Sequence, residues 1–146
     1  MTPKAFAALM DRAYTEMRPW TEVEIEATLS MPHVVFPTAE RGGLIARIVA
    51  GECEILSIAT DPDAQRQGVA TGLLNRLVTM AAEQAADRIF LDVAARNHAA
   101  RAFYDRHGFS RLGMRRSYYT LRDGSKDDAL LLVRSLRPAA AQAPVT

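Results

Sequence analysis

The sequence predicts one mixed α/β (α+β) domain, with a mostly antiparallel sheet and about four helices crossing between its strands. Three observations carry this. After a helical start, short apolar runs alternate with tight turn signals over residues 33–60, as in an antiparallel meander. The hydrophobic period then lengthens to that of a long helix near residue 69. A strand, a helix and two closing strands follow, with no repeat, linker or composition shift to divide the chain.

The elements follow in order. Phe6, Leu9, Met10, Ala13 and Met17 recur at helical spacing, which predicts a first helix over residues 3–17, broken by "RPW". Thr21 with Glu24 three residues on has the form of a capping box, so a second helix runs to about Leu29. "HVVFPTAE" reads as a strand and "RGG" as a hairpin turn. "LIARIVAG" and "ECEILSIAT" are the next strands. Val69, Leu73, Leu74, Leu77, Val78, Ala81 and Ala82 form one long helical stripe. "RIFLDVAA" is a strand. "NHAARAFYDRHG" is a helix that starts at an Asn97 cap and ends at a glycine. "FSRLGMRRSYYTL" and "DALLLVRSL" close the sheet around the turn "RDGSKD". The domain is expected over residues 1–137, with 138–146 as a flexible tail because "RPAAAQAPVT" has no periodic pattern.

Composition narrows the function classes. A net charge of +1 gives no global attraction to nucleic acid or to a membrane surface. The single cysteine, Cys53, rules out a disulfide within the chain and sits where a small apolar strand residue would. His33, His98 and His107 are scattered, so no metal-ligand spacing occurs and no metal is expected. No apolar run reaches the roughly 18 residues of a spanning helix. Asp11, Arg12 and Glu16 interrupt the start, unlike a signal peptide, so the expected location is the cytoplasm.

The chemistry concentrates in "SIATDPDAQRQGVATGLLNRLV", a strand, a turn and a helix start. A helix N-terminus offers unpaired N–H groups and partial positive charge, and Gly68 lets the backbone approach a bulky anion, so phosphate is a natural guest. A turn that uses Gly68 for geometry alone is the other reading. Gly68 is followed by Val69 and Ala70, not by the Lys-Ser/Thr of a nucleotide triphosphate loop. Gly68 and Gly72 alone do not make a dinucleotide fingerprint.

The run Gln65-Arg66-Gln67-Gly68-Val69-Ala70 resembles the acetyl-coenzyme A signature of the GNAT acetyltransferase superfamily, Gln/Arg-x-x-Gly-x-Gly/Ala. Asn97, Tyr104, Gly108 and Phe109 resemble its second hallmark, an Asn before a helix that ends in Tyr-x-x-x-Gly-Phe. "RPWTEVEI" and "GMRRSYYTLRDGSKDDALLLVRSL" narrow the likeness to RimI-type ribosomal-protein-alanine N-acetyltransferases. The resemblance spans residues 18–136, with 33–51 nondescript. It implies a GNAT fold with a splayed central strand pair. It also implies direct attack of an amine on the thioester of acetyl-coenzyme A, the cosubstrate.

The resemblance assigns the residues. Main-chain N–H groups of Arg66, Gln67, Gly68, Val69, Ala70 and Thr71 would hold the diphosphate, and Asn97 would reach the cofactor as well as cap its helix. Ile58, Ala59 and Thr60 would pair through free main-chain groups with the pantetheine and the thioester oxygen. A preplaced donor at a developing oxyanion is worth about 3 kcal/mol. Without the neighbouring motif, "LSIAT" reads as an ordinary core strand.

Asp92 and Tyr104 are the expected catalytic pair. "IFLDVA" is apolar on both faces, the pattern of a buried strand, and a carboxylate there is costly unless paired or facing a wet cleft. Alternation puts Asp92 on a face with Phe90 and Ala94. The RimI pattern has Glu here as general base. Asp is one methylene shorter and would act through a water; a structural acceptor is the alternative. Tyr104 stands where the family places the acid for the coenzyme A thiolate; a tyrosine packed on the sheet is the alternative.

An α-amine, with a pKa of about 8, is easier to deprotonate than a lysine amine at about 10.4. The expected acceptor is therefore a protein N-terminus, possibly of a ribosomal protein, with a small-molecule amine or a non-catalytic coenzyme A-binding module as alternatives. No direct DNA or membrane partner is expected, and the oligomeric state is open. Between residues 96 and 116 stand six arginines against the single Asp105. That is either a solvated face or a contact for the coenzyme A 3′-phosphate or ribosomal RNA. Glu16, Glu22, Glu24 and Glu26 around "RPW" would draw a cationic peptide end if helices 1 and 2 line the cleft.

Overall fold

In the computed structural model, which describes residues 1–137, the Thr2 hydroxyl accepts the Ala5 N–H and starts α1 (Pro3–Ala13), with proline in its first turn. The predicted run to Met17 stops four residues early. Tyr14 turns extended (φ −89°, ψ 111°), and Met17 instead forms an isolated antiparallel bridge with Leu121. Tertiary pairing overrides the helical spacing there. α2 (Glu22–Leu29) opens on the expected reciprocal box between Thr21 and Glu24.

"HVVFPTAE" gives two short strands rather than one, β1 (Val34–Val35) and β2 (Thr38–Ala39), parted at Phe36 and Pro37. Both pair antiparallel with β3 (Gly42–Val49), which pairs antiparallel with β4 (Glu52–Thr60). A 3-10 turn (Pro62–Ala64) leads into α3 (Val69–Glu83). β5 (Arg88–Ala94), α4 (His98–Arg106), β6 (Ser110–Thr120) and β7 (Lys126–Ser135) complete the chain. The sheet order is β1-β3-β4-β5-β7-β6, with β2 also on β3.

One junction is parallel, β4 with β5, and it is short. Only Glu52, Cys53 and Glu54 pair across it, with Arg88, Ile89 and Phe90. Beyond that point the two strands part. β4 carries a bulge at the same level: Ile45 faces Ser57 while Ala46 faces Ile55, leaving Leu56 over. The extra residue re-phases β4. Cys53 and Ile55 belong to the core under α3 and α4, whereas Ala59 belongs to the core under α1 and α2.

Two cores clothe the sheet. Leu73, Leu74, Leu77 and Ala81 of α3 pack with Ile89, Leu91, Tyr104 and Phe109 on one face. Phe6, Leu9, Met10 and Ile25 pack with Ile45 and Ala59 on the other. Gly43 lies under that second core, where an added Cβ would come within 2.9 Å of both Phe6 and Phe36. Burial pushes the Cys53 thiol up to about 12, so it acts as a small apolar group.

Candidate functional site

Where β4 and β5 separate, the sheet opens into a cleft of about 610 Å³. β4 lends Ile58, β5 lends Asp92, α4 lends Tyr104 and its Asn97 cap, and β6 lends Tyr119. Residues 13–18 and Trp20, the stretch after α1, form its other side. A shallower depression between Asp87, Gly108 and Arg137 carries none of these groups.

The main chain of β4 is turned toward the opening. Ala59 pairs with Gly43, and Asp61 N–H donates to the Arg41 carbonyl, while Leu44 N–H donates to Pro37 on the far side of β3. In an antiparallel pair, alternate residues then point their N–H and C=O away from the partner. Ile58 and Thr60 therefore face the cleft side, and Ala59 directs its groups into β3. The Ile58 carbonyl bears this out: it accepts the Tyr14 hydroxyl at 3.0 Å, with Ser57 Oγ also 3.0 Å from that hydroxyl.

Asp92 is half-buried, and its Oδ1 is buried with no hydrogen-bond partner among the described residues. A buried carboxylate oxygen left so is unfavourable until a bound group supplies a donor. Leu91 and Val93 face the core, so alternation places Asp92 as the sequence predicts. Tyr104 is 3% exposed, and its hydroxyl has no protein hydrogen bond among the described residues. Burial raises its pKa, and the nearby Tyr14 and Tyr119 phenols add to the rise. Tyr119 is likewise raised, first by burial and then by the Asp92 charge. Three phenols thus share the opening with the Asp92 carboxylate, and Glu16 stands on its wall.

The glycine turn flanks this cleft. Gly68 sits in the left-handed region at φ +80°, which glycine adopts without strain, and caps α3 with no side-chain hydrogen bond. Nothing lies within 4 Å of where a Cβ on Gly68 or Gly72 would stand. The N–H groups of Gly68, Val69, Ala70 and Thr71 have no partner among the described residues; the first helical bond is Gly72 N–H to Gly68 O. Arg66 (φ 65°) and Gln67 are exposed beside them. Of this loop only Gln65 lines the cleft itself. Asn97 Oδ1 accepts the Ala100 N–H as a cap, and the residue lines the cleft.

A family description, "Acetyltransferase (GNAT) family", matches residues 11–109, more than half of the chain. The chain belongs to the GNAT acetyltransferase family. This acetyltransferase is 32% identical over 118 residues to the ribosomal protein bS18-alanine N-acetyltransferase of Escherichia coli K12, covering 78% of this chain and 79% of that one. It is 32% identical over 110 residues to the N-alpha-acetyltransferase RimI of Mycobacterium tuberculosis, covering 69% and 68%. The crystal structure of the ribosomal-protein-S18-alanine N-acetyltransferase from Escherichia coli superposes with a TM-score of 0.81 at 28% identity, covering 98% of this chain and 92% of that one. The fold and the N-acetyltransferase class follow, and the family's donor is acetyl-coenzyme A.

Not every expected feature of the acetyltransferase gathers at the cleft. Glu24 and Glu26 do not line it. Glu24 is held in a two-pronged pair with Arg18 (2.9 and 3.1 Å) and in the Thr21 box, which hold its carboxyl down at about 2. Glu16 is the acidic side chain of that group that remains on the cleft wall. The arginine run also divides. Arg96 lines the cleft, Arg101 donates to the Ala95 carbonyl, and Arg115 lies over the Tyr118 ring at 5.2 Å. Tyr14, Ser57 and Tyr119 were not singled out by sequence reasoning. The one signal for Tyr119 was its place in the Tyr-Tyr motif.

Proposed function

We propose that this acetyltransferase moves the acetyl group of acetyl-coenzyme A to the α-amine of a protein N-terminus in the cytoplasm, with the N-terminal alanine of bS18 as the leading acceptor. The observation that carries the reading is the opening between β4 and β5. It brings the Ile58 main chain, the unpartnered Asp92 Oδ1 and the Tyr104 phenol to one cleft. The names of the relatives at 32% identity supply the acceptor class.

Acetyl-coenzyme A, when bound, supplies an activated thioester carbonyl and a thiolate leaving group. The chain does the rest. The free N–H groups of residues 68–71 and the N-terminal dipole of α3 bind the diphosphate, with Arg66 and Gln67 beside it. Thr60 and Asn97 bind the pantetheine arm. The Ile58 N–H, fixed on the cleft side, polarises the thioester oxygen. Asp92 takes the proton from the incoming ammonium through a water, since its side chain is a methylene shorter than glutamate. Tyr104 gives its phenolic proton to the departing sulfur and regains one from the acetylated nitrogen, which sheds its second proton as it becomes an amide. The raised pKa of Tyr104 keeps it in the acid form throughout the neutral range. Exclusion of water around that thiolate raises the proton affinity of the sulfur in step.

The decisive assay is thiol release with acetyl-coenzyme A against N-terminal peptides, lysine peptides and small amines. Turnover of peptides beginning with alanine, above all a bS18 N-terminal peptide, is the expected result. Turnover confined to small amines would replace the acceptor. Tight donor binding with no release for any acceptor would mean a binding module.

A further inference from the structure

The acceptor side of the cleft is walled by residues 14–18 and Trp20, which carry little regular structure of their own. Something else must hold them. α1 ends at Ala13, so its last carbonyls have no partner within the helix. One side chain from late in the sequence takes the Asp11 carbonyl and two more just beyond the helix, those of Tyr14 and Met17. Arg122, in the turn between β6 and β7, donates from Nη2 to the Tyr14 carbonyl (2.7 Å), the Asp11 carbonyl (3.0 Å) and Asp11 Oδ1 (3.2 Å). Its Nε donates to the Met17 carbonyl at 3.0 Å, and its main-chain N–H to the Glu16 carbonyl at 2.8 Å.

Leu121, the preceding residue, makes the bridge to Met17. Among the described residues no other side chain hydrogen-bonds across this seam. The turn that presents Arg122 is itself set: Asp123 Oδ1 accepts both the N–H and the hydroxyl of Ser125, and Gly124 adopts φ +85°. Arg122 does not line the cleft, whereas Tyr14, Glu16, Met17, Tyr119 and Leu121 do. The guanidinium therefore acts at one remove. Its planar fork can meet several carbonyls at once, which a lysine ammonium on a flexible stem does less well. The segment is pinned a second time, because Tyr14 gives its hydroxyl to the Ile58 carbonyl on β4.

We infer that Arg122 is a positioning residue that clasps residues 14–17 to the β6–β7 turn and thereby sets how tightly the acceptor is held. This rests on the acceptor amine entering between those two segments, as in the proposed function. The start of α3 beside the cleft, where the proposed function puts the diphosphate, shares none of these contacts. Loss of the clasp is thus felt by the acceptor and not by acetyl-coenzyme A.

The test compares wild type, Arg122→Lys and Arg122→Ala with acetyl-coenzyme A and an alanine-initiated peptide. A loss of ground-state binding raises KM with kcat little changed, so the peptide KM should rise about tenfold or more in Arg122→Ala while the acetyl-coenzyme A KM stays within about twofold. Arg122→Lys should fall between, and it carries the test if the alanine variant does not fold. Hydrogen exchange at the amides of residues 14–18 and Trp20 should quicken in the variants while that of α3 and β5 is unchanged. An unchanged peptide KM, or equal rises in both KM values, overturns the inference. If wild type acetylates no peptide at all, the functional reading falls. Unchanged exchange at residues 14–18 and Trp20 would then overturn the clasp by itself, and faster exchange there would uphold it.

Discussion

At the level of single residues the proposed chemistry rests on Tyr104 and Asp92, which line the cleft. Replacing Tyr104 by Phe keeps the ring that packs edge-on against Phe103 and Phe109 and removes only the hydroxyl. With an acid supplying about 10²–10⁴-fold, Tyr104→Phe should lower kcat by that order with little change in acetyl-coenzyme A affinity, read by steady-state kinetics and donor titration. Equal kcat would leave Tyr104 a packing residue. Both side chains were legible because each sits in a short local pattern: a charge inside an apolar strand, and a tyrosine spaced from an Asn cap and a Gly-Phe. Tyr14 and Arg122 were not. Their partners lie 43 to 111 residues away, and nothing local distinguishes a tyrosine at a helix end or an arginine in a turn.

At the scale of elements, α2 and α4 emerged as read because their caps are local chemistry that survives any tertiary context. α1 and the strand at 33–39 did not. Pairing of Met17 with Leu121, and the break at Phe36 and Pro37, are decided by distant strands. The start of α2 makes a pH prediction. The Arg18 pair first, and then the Thr21 capping box, lower the Glu24 pKa from 4.5 to about 2 in the folded chain. A carboxyl depressed on folding adds stability above its unfolded value, and that contribution is lost as pH falls through the folded value. Wild type should therefore lose more thermal stability than Glu24→Gln between pH 4.5 and 2, followed by circular dichroism. Parallel curves for the two proteins would show that the ionised Glu24 carboxylate contributes nothing to stability. Because this surface pair is screened, 1 M salt should shrink the difference.

The molecule as a whole is two packed layers on a sheet that opens in the middle; the mixed α/β class was legible in the periodicity, the opening only through the resemblance. Periodicity reports which face of a strand is buried. It does not report where two neighbours stop pairing, because a strand that leaves its partner keeps its alternation. A ligand seated in that opening binds the folded chain alone. Acetyl-coenzyme A at a hundredfold excess over its Kd should add about 2.7 kcal/mol of stability, seen as a rise in Tm that follows ligand concentration. A Tm insensitive to acetyl-coenzyme A would mean that the folded chain does not bind it.

The three-residue junction between β4 and β5 gives the sheet a natural fold line. On one side β1 to β4 form a half-sheet, and on the other β5 to β7 form a second, fastened near Cys53 and Ile89 like covers at a spine. An extended guest that lent its own amides to both free edges would serve as the missing rung of the ladder. Its arrival would stiffen the two covers against each other, and its departure as free thiol would let them breathe again.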